Sequence, residues 1–250
     1  MKLNLSLLFL LFCNFLFAQK TSFNYKLTYH TTINTHIKEE YENILFLSNY
    51  TALFTWKTIG NTQMQTTSDG GFTRAEHRKN REFNFIDTNQ KNIISLNNIS
   101  STESHYVKQP LPEIKWEITN ETKLISDMQC IKAVGVYGGR EFTVWFSTEF
   151  PTQFGPWKLT GLPGVVVQAY DTYKEIVFNL KSIEKTDEKI SLDVTKKKYI
   201  TLEEYYKREI AYPYELLKRI QSTATRGSSI SISNVTYNFL EKDFEYLTKK

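Results

Sequence analysis

Three carboxylates, Glu149, Asp171 and Glu175, stand close to one glycine- and proline-rich loop, Gly155–Gly164, and are the side chains best suited to acid–base work in this sequence. A pair of such groups can shuttle protons in hydrolysis, and a hydrolase here would use Glu149 or Asp171. Asp171-Thr172 also falls where a hairpin turn to Tyr173 is expected, and aspartate favours turns through its side-chain hydrogen bonds. Arg140, which follows Gly138-Gly139, could grip an anion or a partner, or pair with Glu141 or Asp171 on a neighbouring strand. The four histidines, His30, His36, His77 and His105, show no metal-ligand spacing, so no metal centre and no cofactor are expected. Cys130 lies between Met128 and Ile131 in an apolar setting, as a small buried hydrophobe would, and has no histidine positioned to activate it.

A second constellation is aromatic. Phe150, Phe154 and Trp157, with Leu159 and Leu162, crowd the segment between two expected strands, and Trp145 precedes them. A loop of this length without regular structure tends to carry function or to wrap its domain. These residues could roof an apolar pocket, form an exposed partner patch, or plug the core. Arg140, Trp145, Phe150, Phe154, Trp157 and Leu162 are accordingly the candidate ligand- or partner-binding set. Gly155, Pro156, Gly161, Pro163 and Gly164 are the architectural residues of the same loop. Leu162-Pro163-Gly164-Val165 has the composition of a type II turn, which predicts a positive φ at Gly164.

The elements that must position these groups are mostly strands. Phe23, Tyr25, Leu27, Tyr29, Thr31 and Ile33 alternate with polar residues, the period of a half-buried strand. Further strands are expected at Glu42–Ser48, Tyr50–Thr58, Glu82–Asp87, Asn92–Leu96, Trp116–Thr119, Lys132–Tyr137, Arg140–Ser147, Gly164–Tyr170, Tyr173–Ile183, Lys189–Val194 and Ile230–Val235. Asp69-Gly70-Gly71 marks a turn, and the Ser- and Asn-rich stretch Asn97–Pro112 reads as an irregular crossing within one domain. Thr201-Leu202-Glu203-Glu204 is a capping box that opens a helical segment near residues 202–222, interrupted by Pro213. The fold class is therefore mainly β: a large curved antiparallel sheet, half-barrel-like, with a short helix against its concave face.

Residues 1–18 read as a secretory signal peptide, with Lys2 ahead of an apolar run to Phe17 and a small residue, Ala18, at the cut. Cys13 lies inside that run behind Leu11-Phe12, unlike a lipoprotein cysteine. Residues 19–250 form a single β-rich domain, exported to the periplasm or beyond, with no transmembrane segment. Removing Lys2 lowers the formal net charge from +4 to +3. Charge this mild and this interspersed, without a recognition motif, does not suit a nucleic-acid binder. One cysteine in the exported part allows no internal disulfide, so stability must come from a core rich in aromatic residues.

Gly161-Leu-Pro-Gly-Val-Val166 resembles the hexapeptide Gly-Leu-Pro-Gly-Leu-Ile of the GLPGLI family, exported proteins of the Bacteroidota. Trp116-x-Ile118, Glu121-x-Lys123, Cys130-x-Lys132-Ala133, Gly139-Arg140, Val144–Pro151 and Gly155-Pro156-Trp157-Lys158 resemble its pattern in the same order, from about Trp116 to Asp171. The departure is valine at 165 and 166. The resemblance implies export and no agreed biochemical role. At the level of fold alone, the strand–loop–strand order is similar to LolA-like periplasmic carriers. Together these features suggest a non-catalytic envelope module that binds an apolar or peptide-like ligand or a membrane-protein partner; the alternative is a periplasmic hydrolase using Glu149 or Asp171.

Overall fold

Period-two alternation produces strands throughout the chain. The computed structural model describes residues 20–35, 38–59, 65–66, 72–73, 82–100, 102–194, 197–223, 231, 235, 237 and 239–248. The strands are β1 (Lys20–Ser22), β2 (Tyr25–Asn34), β3 (Lys38–Leu47), β4 (Thr51–Thr58), β5 (Gln65–Thr66), β6 (Phe72–Thr73), β7 (Phe83–Asp87) and β8 (Asn92–Asn98). They continue as β9 (Ser104–Pro110), β10 (Glu117–Ile125), β11 (Met128–Tyr137), β12 (Arg140–Ser147), β13 (Val165–Asp171), β14 (Ile176–Lys185), β15 (Lys189–Ser191) and β16 (Tyr199–Ile200). Helix α1 covers Leu202–Thr223, and a 3-10 helix covers Lys242–Thr248. The expected signal peptide and the Asp69-Gly70-Gly71 turn lie outside the described residues, as does most of the expected strand Ile230–Val235.

Twelve strands form one sheet in the order β10-β11-β12-β13-β14-β2-β3-β4-β7-β8-β9-β16. Every pair is antiparallel except β16 with β9. β10 and β16 stand at the two edges, so the sheet does not close into a barrel. It curls nonetheless: Leu27, Leu45, Phe54 and Ile93 from one half share a core with Phe142, Val144 and Ala169 from the other. The mainly β class with a large antiparallel sheet agrees with the alternation in the sequence.

The inner face can be followed across the register. Val107 pairs with Ser95, Ser95 with Asn84, Asn84 with Phe54, Phe54 with Leu45 and Leu45 with Leu27. Tyr205 and Tyr206 of α1 pack on Val107, so the helix covers this same face. On the opposite face, Phe46, Leu53 and Phe85 are covered by Phe23, Ile190 and Leu192. Phe23 thus leaves the face shared by Leu27 and Tyr29.

Several elements depart from the periodicity. Asn97–Pro112 holds a full strand, β9, hidden by the Ser and Asn residues that lead into it. β10 and β11 run longer than expected because Ser126 and Asp127, at φ 48° and 62°, make a tight hairpin turn without glycine. Helix α1 passes through Pro213 unbroken, forgoing one main-chain bond where its packing comes from Tyr205 and Tyr206. Thr201 caps it through Glu204 N–H at 3.1 Å, while Glu204 turns to Arg208 instead of closing the box. Among the described residues, no helix is long and apolar enough to cross a membrane.

Tyr29 is fully buried, and its hydroxyl donates to the Val166 carbonyl at 2.8 Å, fastening β2 to β13 across the interior. Burial pushes its phenol far above the usual range. Tyr29→Phe removes this buried hydrogen bond, so a loss of about 1–2 kcal/mol in urea unfolding is expected.

Candidate functional site

The loop between β12 and β13 fills the bowl of the sheet. Phe154, Trp157, Leu159 and Leu162 are all buried, and Trp157 sits between Tyr137 and Phe142 at ring separations of 5.1 and 6.2 Å. Gly155 allows the loop to fold on itself, since a Cβ there would lie 2.2 Å from the Leu159 carbonyl. Trp116 closes the other side, donating from Nε1 to the Thr160 carbonyl at 2.8 Å. Phe150 is half-buried, edge-on to Tyr25. Trp145 projects to the opposite face of the sheet, beneath the Lys123 ammonium at 4.1 Å. The six candidate binding residues are therefore split between two faces of the sheet.

The turn expected at Leu162–Val165 takes a different form. The positive φ belongs to Gly161, at 98°, and not to Gly164. Gly164 is required for space: a Cβ there would lie 2.2 Å from the Ser147 carbonyl. Trp157 also adopts positive φ, 57°, a conformation unusual for a bulky side chain and held here by burial of its indole.

The most elaborate polar site lies where the C-terminal segment meets the β11–β12 turn. Gly138 and Gly139 make that turn, both at positive φ, as a two-residue hairpin connection requires. They also leave a bare stretch of main chain against which residues 241–243 lie, for a Cβ on Gly139 would reach the Asp243 nitrogen at 2.9 Å. Arg140 follows at once and is only 3% exposed. Its Nη1 donates to Asp171 Oδ2 at 2.7 Å and to Glu175 Oε2 at 2.6 Å. Its Nε donates to the Leu240 carbonyl at 2.7 Å, and its Nη2 to the Phe239 carbonyl at 3.0 Å. The guanidinium fork suits this task, because several donors leave one rigid plane.

Lys158, from the interior loop, completes the site. Its ammonium is buried and donates to Glu241 Oε1 at 2.5 Å, with Gln109 Oε1 at 3.5 Å. The other Glu241 oxygen accepts from the Tyr206 hydroxyl. Lys242 pairs with Glu175 at 2.8 Å, and its N–H donates to the Gly138 carbonyl at 2.7 Å. Three cations, Arg140, Lys158 and Lys242, thus face three carboxylates, Asp171, Glu175 and Glu241. Burial, reinforced by the Glu241 charge, drives the Tyr206 and Tyr137 phenols well above their usual range.

This arrangement commits its acids to structure. Asp171 gives one oxygen to Arg140 and the other to the Ile176 N–H at 3.0 Å, and its own carbonyl accepts from Lys174 in the turn. The cross-strand pairing with Arg140 and the turn role were both legible; the burial was not. Glu149 accepts from the Gln129 N–H at 2.8 Å. It lies beyond the Ser147–Val165 end of the β12–β13 pair, whereas Asp171 opposes Phe142 at the other. At about 3.3 Å per residue the two stand ~20 Å apart, so they form no acid–base pair. His30 and His105 meet Glu40 and Glu103 separately, and no metal-binding group of acids, histidines and cysteines gathers among the described residues. Cys130 is buried, which raises its thiol.

Glu175 provides a pH test. Burial alone would raise its pKa, but the bonds from Lys242 and Arg140 outweigh it and hold the carboxyl below its usual range. A depressed carboxylate contributes stability above its unfolded value of about 4.3, and that contribution is lost as pH falls through the lowered folded value. Protection of the Lys242 amide against hydrogen exchange, taken relative to an unstructured peptide at the same pH, is thus expected to fall below about pH 4, and Glu175→Gln should flatten that acid dependence.

No family model matches the chain, and neither does any curated protein, so the GLPGLI resemblance rests on the residues that carry it. Among solved structures, PNGF-II in one crystal form matches with a TM-score of 0.51 and 15% identity, over 74% of this chain and 32% of that one. A second crystal form gives 0.50 and 16%, over 76% and 33%. The chain spans about a third of the length of PNGF-II, and the likeness is one of fold. A LolA-superfamily protein from Nitrosomonas europaea matches with a TM-score of 0.28 and 9% identity, over 69% of this chain and 89% of that one.

Proposed function

We propose that this chain is an exported, non-catalytic module of the bacterial envelope that binds a peptide-like segment of a partner protein. One observation carries the reading: the polar equipment of the site is spent on gripping a stretch of polypeptide. Arg140 takes two successive main-chain carbonyls, and the Gly138 carbonyl takes a main-chain N–H. Main-chain contacts of this kind hold a polypeptide with little regard to its side chains. Export and single-domain organisation belong to the same reading, on the strength of residues 1–18 and the continuous twelve-stranded sheet.

The exposed rim supplies the test. Val136, on β11 just ahead of the Gly138–Gly139 turn, and Tyr173, in the β13–β14 turn, are 63% and 77% exposed. A photo-crosslinking residue at either position, irradiated in intact cells, is expected to capture one discrete envelope protein, while a control at Leu124 on the edge strand captures none. Absence of any adduct from both rim positions overturns the reading. A hydrolytic activity abolished by Asp171→Asn with folding intact would favour the enzyme instead.

A further inference from the structure

The grip on the C-terminal segment specifies what else could occupy the same place. We infer that Arg140, Lys158 and the Gly138–Gly139 turn form a recognition site for an acidic peptide with an aromatic residue two positions before its glutamate, and that Phe239–Lys242 occupies it as an internal stand-in. The inference rests on the reading of the chain as a binding module and names the class of its partner.

Each contact has a recognisable purpose. The carbonyls of residues 239 and 240 and the N–H of residue 242 are bound as main chain, so any segment that takes the same bend into a 3-10 turn could present them. The two glycines clear the path, since a Cβ on Gly138 would come within 2.9–3.3 Å of Glu241. Selectivity lies in two side chains. Phe239 packs against the Tyr206 ring, tilted, at 4.5 Å, and Glu241 bridges Lys158 and Tyr206.

Charge makes an acidic occupant compulsory. Asp171 and Glu175 neutralise Arg140 from within the sheet, whereas the carboxylate on Lys158 comes from the inserted segment itself. A buried ammonium left without a counter-charge is strongly unfavourable, so whatever replaces the segment must bring its own carboxylate. The segment also reaches the site from the far end of the chain, about 100 residues from Arg140. It is held there by the Arg140 and Lys158 side chains, one main-chain bond to Gly138 and the packing of Phe239, with no strand of the sheet formed by residues 239–242. Such an insert can be exchanged without dismantling the sheet.

The probe is a synthetic peptide copying residues 237–245, compared with the same peptide carrying glutamine at the position of Glu241. The full-length protein with Glu241→Ala loses its internal counter-charge and keeps Arg140 and Lys158. It is expected to bind the glutamate peptide at least tenfold more tightly than wild type does, by fluorescence anisotropy, and to discriminate against the glutamine peptide. Adding Lys158→Met should abolish that discrimination. Equal affinity for the two peptides, or no binding to Glu241→Ala, overturns the inference. Should Glu241→Ala fail to fold, hydrogen exchange on wild type decides: millimolar glutamate peptide should speed exchange at the Lys242 amide several-fold over the glutamine peptide, and an unchanged rate overturns it. If rim crosslinking captures a partner while the peptides fail, the binding module stands and only its ligand class is wrong. If peptides bind and crosslinking captures nothing, it is the envelope partner that falls.

Discussion

Gly164→Ala is expected to destabilise the protein by about 3 kcal/mol or more, although alanine carries no bulk beyond one methyl group. The added carbon would lie 2.2 Å from the Ser147 carbonyl and 2.7 Å from its carbon, and both are main-chain atoms of the adjoining strand. No rotamer change relieves such a clash; β12 and β13 must separate where Ser147 pairs with Val165. Gly161→Ala provides the contrast. Gly161 holds φ at 98°, but its nearest neighbour is the Trp116 ring at 3.7 Å, so the penalty is backbone strain of about 1–3 kcal/mol. Chemical denaturation of both variants checks the order. A Gly164 variant no worse than the Gly161 variant would mean that strand contact is not what fixes glycine there.

Arg140→Met is expected to cost about 3–5 kcal/mol, the usual penalty for removing one partner of a buried ion pair. The variant strands Asp171 and deprives the Phe239 and Leu240 carbonyls of their donors. Release of the C-terminal segment should accompany the loss, seen as faster exchange at the Lys242 amide. Asp171→Asn added to this variant should restore part of the stability, because the uncompensated charge disappears while the side-chain oxygen can still accept from Ile176. Arg140→Lys should fall between, since a single ammonium cannot reproduce four directed bonds. If Arg140→Met melts like wild type, the network contributes nothing to holding the segment.

Much of the candidate site could be read from residue types. Arg140 announced a charge that could pair with Asp171 across strands, and Asp171-Thr172 announced a turn. What could not be read was the third party. Glu241 and Lys242 sit in what looks like a polar tail, with no periodicity to separate a buried glutamate from an exposed one. Lys158 looks solvent-bound for the same reason: a lysine's neighbours in sequence say nothing about a carboxylate 83 positions away.

By itself, the sequence determined the class of fold, the strand period, the helix start at Thr201 and the rigidity of the loop around Gly155–Gly164. These depend on local physics, namely side-chain alternation, capping and the φ preferences of glycine and proline. Tertiary structure alone decided that the loop would fill the bowl of the sheet and that Gly164 serves close approach while Gly161 takes the positive φ. It also decided that the chain's end would complete the buried charges. Each of these depends on which distant main chain passes within a few ångströms, and the curl of a twelve-stranded sheet sets that distance.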